Sequence, residues 1–183
     1  MASKHEERLT VLEAELSTKE RYGFSSVSIR RTLSNLAPTL SRVGRLDESL
    51  DLHRQIHASY KAETPTHSSI IAAQNLALSL SKKERFDEAR ALLLETIPTA
   101  RRALGDEDEI TLRTEFYYAE MPLDYEEVAS LDELRDSQLR LAKLDRTASR
   151  VLGPSHPIAM NIKIALDVCA MEVDHRASME VWI

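Results

Sequence analysis

Two seventeen-residue windows of this chain align without a gap: SNLAPTLSRVGRLDESL at 34–50 and QNLALSLSKKERFDEAR at 74–90. Asn35 matches Asn75, Leu36-Ala37 matches Leu76-Ala77, Leu40 matches Leu80, Arg45 matches Arg85 and Asp47-Glu48 matches Asp87-Glu88, every pair at a spacing of 40. Self-similarity at a fixed period of this size marks a repeat architecture, in which one supersecondary unit cannot bury its apolar face alone and stacks on copies of itself. Turn sites at Gly23, Thr64, Gly105 and Gly153 carry the period along the chain with spacings of 41, 41 and 48. The longer last interval predicts an insertion in the third unit, near MPLDYEEVAS.

Within a unit the pattern predicts helix, tight turn, helix. Ala73, Leu76, Ala77 and Leu80 follow the i, i+3, i+4, i+7 spacing of a one-sided helix, and Phe86, Ala89, Leu93 and Ile97 do the same for its partner. The short links at 41–45 and 81–85 make the two helices antiparallel. Only four glycines, 5% aromatic residues and 30% charged residues suit an all-α chain rather than a sheet. Ala37, Ala77 and Ala119 are expected where two helix backbones come close, since a bulky side chain there would hold them apart. Pro38 and Pro98 each remove a backbone donor and are expected to kink their helices or shift them locally.

Asn-Leu-Ala-x-x-Leu, then Arg-Leu-Asp-Glu-Ser or Arg-Phe-Asp-Glu-Ala, then the Leu-Gly-Pro-Ser-His-Pro junction at 152–157, together resemble the kinesin-light-chain type of tetratricopeptide repeat, over residues 8–168. The resemblance implies a right-handed superhelix of antiparallel helix pairs, a solenoid with about three full units and a flanking helix at each end. The expected division is a lone helix at 4–19, unit 1 at 27–62, unit 2 at 67–103, unit 3 at 109–151 and a partial unit 4 at 156–183. Unit 4 begins at His156-Pro157 and then drifts from the pattern. Kinesin light chains dock the motor heavy chain through a long heptad coiled coil; the helix from Lys4 to Lys19 is too short for one, so the kinesin heavy chain is not an expected partner. The apolar tail SMEVWI either folds back as a cap or belongs to an array that continues.

A formal charge of −6 and a pI near 5.6 argue against general binding to nucleic acid or anionic lipid. The single Cys169 excludes an intrachain disulfide, no apolar run approaches the ~18 residues of a membrane span, and the N-terminus lacks a secretory apolar core, so a soluble cytoplasmic protein is expected. No phosphate loop, GxSxG motif or paired-cysteine pattern is present, so neither enzyme activity nor a cofactor is expected. His53 and His57 have the i, i+4 spacing of zinc ligands but lack the HExxH glutamate, and His53 falls on the core side; no metal is expected. Asp108 and His156 recur at one junction position that can cap the next helix, with Ser26 and His67 in the matching place.

The resemblance implies that the first helices of the units line a concave, peptide-binding side. At about 100° per residue, Ile71, Asn75, Leu78 and Lys82 point away from the core set of their helix. Their counterparts are Arg31, Asn35, Pro38 and Arg42 in unit 1, and Arg113, Tyr117, Glu120 and Asp124 in unit 3. The candidate binding residues are therefore Arg31, Asn35, Arg42, Ile71, Asn75, Leu78, Lys82, Arg113 and Tyr117. An Asn amide offers donors and an acceptor to the main chain of an extended peptide whatever its sequence. Residues 27–46 hold Arg30, Arg31, Arg42 and Arg45 with no carboxylate nearer than Asp47, and 65–83 hold Lys82 and Lys83 with none, which points to a basic groove and an acidic peptide or protein partner. The alternative is that these charges only solvate an exposed face. A different function, that of a fragment or subunit of a longer repeat protein stacking or self-associating through open ends, also fits the pattern; an enzyme would need a constellation the sequence does not show.

Overall fold

The computed structural model describes residues 4–60, 63–124 and 129–180, and among these every regular element is a helix. They are α1 (Lys4–Arg21), α2 (Ser26–Arg42), α3 (Leu46–Ser59), α4 (His67–Ser81), α5 (Phe86–Leu104), α6 (Glu109–Asp124), α7 (Leu131–Val151) and α8 (Pro157–Glu180). Each helix packs on the next, and the even-numbered helices form the inner row, the odd-numbered ones the outer row.

Helix starts follow side-chain capping. Ser25 Oγ accepts from the Ser28 amide, and Thr66 and Ser130 form reciprocal capping boxes with Ser69 and Glu133. Asp108 Oδ1 accepts from the Ile110 amide at 2.8 Å, and His156 Nδ1 accepts from Ile158 at 3.3 Å. Asp108 and His156 cap as the sequence suggests, but the matching residues are Ser25 and Thr66, one place earlier than Ser26 and His67. The reason is length: the cap follows Thr64 by two residues and Gly105 by three. His67 instead reaches across to Asp108 at 3.2 Å, tying the start of α4 to the start of α6.

The inner-to-outer turns of the first two units are near copies. Arg45 and Arg85 each send an amide back to the carbonyl of Leu40 or Leu80 at 3.0 Å, and each grips the Glu three residues on through two hydrogen bonds. They differ at the residue just before: Gly44 takes φ 84° at little cost, while Glu84 is held at φ 58°.

Where inner and outer helices cross, the small residues sit at the contact. Ala37, Ala77 and Ala119 are almost wholly buried. Ser49 Oγ donates to the Ala37 carbonyl at 2.7 Å and Ser137 Oγ to that of Ala119, while Ala89 joins Ala77 in the shared core. The Ala37–Ser49 interval is 12 residues and the Ala119–Ser137 interval is 18, so the extra length of unit 3 is shared between a longer link, partly in 125–128 outside the described residues, and an earlier start of α7. The helices run on through Pro38 and Pro98. Both prolines are exposed, as are Ser34 and Leu94 four residues before them, so the carbonyls that lose a donor face water.

Core clusters follow one another along the array, from Leu9, Leu12, Leu36 and Leu40 at one end to Leu134, Leu141, Ile162 and Cys169 at the other. Among the described residues no helix is long and apolar enough to cross a membrane.

Candidate peptide-binding groove

Neighbouring inner helices do not meet equally. α4 packs on α6, and α6 on α8, but no Cα of α2 lies within 8 Å of one in α4. One repeat position differs plainly between the two seams. Gln74, 2% exposed, donates through Nε2 to the Ile110 carbonyl at 3.0 Å and to Thr114 Oγ1 at 2.7 Å, while its Oε1 accepts from Arg113 Nε at 3.1 Å. Its counterpart 40 residues earlier is Ser34, too short to span, which donates to the Arg30 carbonyl of its own helix at 2.9 Å.

The seam between α2 and α4 therefore stays open as a groove of about 480 Å³. Arg31 and Asn35 of α2 line one wall, and Ile71 and Asn75 of α4 the other. Buried His53 and Ile56 of α3 lie at its base. At its rim Arg30 is pinned, with its guanidinium 4.0 Å from the Tyr60 ring centre and 2.8 Å from Glu63.

Partners divide the expected basic cluster. Arg30 is neutralised by Glu63, Arg45 by Glu48 and Glu13, and Lys83 by Asp47 at 2.7 Å. Arg31 and Arg42 make no ion pair or hydrogen bond through their side chains among the described residues, and Lys82 only donates to Ser41 Oγ at 2.9 Å. The side-chain amides of Asn35 and Asn75 are likewise unengaged among the described residues. Burial, with a smaller push from Lys82, lowers the His53 pKa to about 4, so the groove base is uncharged near neutral pH.

Four of the nine candidates, Arg31, Asn35, Ile71 and Asn75, thus share one groove. Arg42 lies at the C-terminal end of α2, and Lys82 caps that of α4, bonded back to α2. Half-buried Leu78 is outside the groove lining. Arg113 is occupied with Gln74, and half-buried Tyr117 packs 5.8 Å from the Phe116 ring and raises its phenol pKa through burial. The base and rim residues His53, Tyr60 and Glu63 come from α3 and the following loop. A reading confined to the inner helices passes over them; the Ser34/Gln74 mismatch was the visible signal that this seam differs.

A larger cavity of about 610 Å³ lies between α5 and α7 on the outer side. Its charges are largely satisfied in place: Arg101 pairs with Glu115 at 2.7 Å, Arg150 with Glu107 at 2.5 Å and Arg140 with Asp136 at 2.7 Å. Size alone does not make it the better candidate.

Residues 28–102, which include Arg31, Asn35, Ile71 and Asn75 of this groove, match the tetratricopeptide repeat family. That segment carries tetratricopeptide repeats, and the chain as a whole has the fold of a tetratricopeptide-repeat solenoid. Its fold is similar to the crystal structure of nearly identical TPR-like repeats from a Podospora anserina protein assigned as a kinesin light chain, with TM-score 0.74 and 16% identity over 97% of this chain and 82% of that one. A point variant of those repeats gives TM-score 0.75 and 17% identity over the same shares. BtubC (BKLC) from P. vanneervenii gives 0.69 and 10% identity over 94% of this chain and 73% of that one. No curated protein matches the sequence. Tetratricopeptide repeat arrays are, in general, scaffolds for protein–protein interaction, and their stacked repeats supply extended concave surfaces.

Proposed function

We propose that this tetratricopeptide repeat chain is an adaptor that holds an extended acidic peptide in the groove between α2 and α4. The observation that carries the reading is the pairing of unengaged Asn35 and Asn75 amides across the groove with the unpaired guanidinium of Arg31 in the same wall. The two amides hydrogen-bond the peptide main chain, and Arg31, with Arg42 and Lys82 further along, meets its carboxylates. Ile71 gives the wall an apolar contact for alternate side chains. Arg113 and Tyr117 lie in the closed seam and contribute less than the α2 and α4 residues.

Fluorescence anisotropy with labelled extended peptides of acidic, neutral and basic composition tests this. The acidic set binds, binding weakens with added salt, and Arg31→Glu with Arg42→Glu abolishes it while circular dichroism is unchanged. Asn35→Ala with Asn75→Ala weakens all peptides that bind, independent of their charge. Equal binding of basic and acidic peptides, or affinity untouched by these four substitutions, sinks the proposal.

A further inference from the structure

The last helix is apolar on two sides. Ile158, Ala159, Ile162, Ala165, Cys169 and Val173 are buried in the core cluster that α8 shares with α6 and α7. Met160, Ile164, Val168 and Met171 are 51, 59, 46 and 73% exposed. At about 100° per residue these four fall within an arc of roughly 80° on the opposite side of the helix, and Met179 extends the same stripe. Exposed apolar residues scattered singly carry no message; a contiguous stripe of them marks a contact surface.

The repeat shows what the stripe corresponds to. Gly105 and Gly153 are 48 residues apart, which places Met160 and Ile164 at the positions of Leu112 and Phe116. Those two are 2% and 3% exposed and lie in the core cluster with Leu134, Leu141 and Leu144 of α7, the outer helix that follows. The stripe is thus the side of an inner helix that is covered at α6. Asp167 stands at the position of Ala119, and its pairing with Lys163 draws it toward the flank of the stripe.

The opposite end narrows the occupant. The side of α1 turned away from its buried Leu9 and Leu12 carries Glu7, Val11, Ala14 and Thr18, and only Val11 among them is large and apolar. Head-to-tail stacking would press the α8 stripe on that polar surface. Packing α8 on a second α8 sets apolar against apolar, and antiparallel helices related by a two-fold axis bring each flank opposite itself. The flank beside the stripe holds Lys163 near its start and Asp174 near its end. Lys163 already leans on Asp167 at 2.9 Å, and Asp174 has no ion-pair partner among the described residues. In the antiparallel arrangement Lys163 of one copy reaches Asp174 of the other, and the match occurs twice.

We propose that the Met160–Ile164–Val168–Met171 face of α8 is a homodimer interface, formed by two copies packing this helix antiparallel about a two-fold axis. It leaves the groove between α2 and α4 uncovered, so the dimer presents two grooves.

Sedimentation equilibrium of the full chain over a range of concentrations tests the idea. The wild type sediments at twice the chain mass, and Ile164→Glu raises the dissociation constant at least ~100-fold, because both copies carry the buried charge. Its helicity and melting remain those of the wild-type monomer unit, since the side chain is exposed within one copy. Met171→Lys gives the same readout should Ile164→Glu disturb folding. Lys163→Glu weakens the dimer, and adding Asp174→Lys restores it. A wild type that stays monomeric at its highest soluble concentration overturns the proposal, as does a dimer that survives both stripe substitutions. A charge reversal that is not rescued overturns the antiparallel pairing.

Discussion

The seam between α2 and α4 and the seam between α4 and α6 are built from the same repeat, with the same alanine at each inner-to-outer crossing, yet one is open and the other closed. Gln74 reaches from α4 to the Ile110 carbonyl and Thr114 of α6, whereas Ser34 at the same place in α2 turns back on its own helix. The conserved pattern of apolar positions within the chain sets where the helices go. At one position the three inner helices differ, with Ser34, Gln74 and Phe116, and the two longer side chains go with the seams that close. In a solenoid the surface available for binding can therefore be altered without touching the core that keeps the units stacked.

Substitutions can break this contrast or sharpen it. Helix α4 belongs to both seams, so Leu76→Ala should destabilise the two together, by roughly 2–5 kcal/mol in urea denaturation. Loss from one seam alone would show that the units do not unfold cooperatively.

The base of the open seam responds to acid. Burial holds the His53 pKa at about 4, below its ordinary value of 6.5. As pH falls below 6.5 the unfolded chain binds a proton that the folded chain refuses until about 4, so stability is lost across that window and is fully present above it. The loss should reach about 2–3 kcal/mol. Urea titrations between pH 7 and pH 4.5 would show it, and His53→Gln should flatten the slope. Arg45 and Arg85 hold Glu48 and Glu88 below the usual carboxylate range, so their contribution is present above about 4.5 and fades as pH falls below it.

Gln74→Ala removes the clamp of the closed seam at an expected cost of about 1–3 kcal/mol. Hydrogen exchange at the start of α6 should quicken while that of α2 stays as it was; unchanged exchange would show that apolar contacts alone close this seam.

The smallest effect belongs to the turns. Glu84→Gly should stabilise by up to ~1 kcal/mol, because the left-handed φ of Glu84 strains a residue with a Cβ. Gly44→Ala should cost about as much in the first unit, where open space around a new Cβ leaves only the backbone penalty. A thermal melt distinguishes the two signs.

The repeat, the pairing of helices and the buried Ala37, Ala77 and Ala119 were legible because each rests on periodicity or on size. The same counting turns Arg31 and Asn75 away from the core set, and both line the groove between α2 and α4. Ion pairing was not legible: Arg30 looked free beside Arg31, but its partner Glu63 is 33 residues away, brought near by the return of the chain after α3. The caps shifted by one residue because junction length varies, and a local pattern does not reveal which of two neighbouring residues will leave the helix. Unit 4 lost its register for a different reason. Its two apolar faces overlap in sequence, so the buried set around Ile162 and the exposed set around Ile164 blur into a helix with little visible period.

The polar links at the ends of the open seam carry a mechanical consequence. At one end a hydrogen bond from Lys82 to Ser41 and an ion pair from Lys83 to Asp47 join the end of α4 to the end of α2 and the start of α3; at the other, Arg30 of α2 pairs with Glu63, three residues before the Thr66 cap of α4. The two helices are thus linked by polar side chains at both ends, with no packing of one backbone on the other between them. Bending of the array concentrates at this joint, and whatever enters the groove sets the curvature of the units on either side.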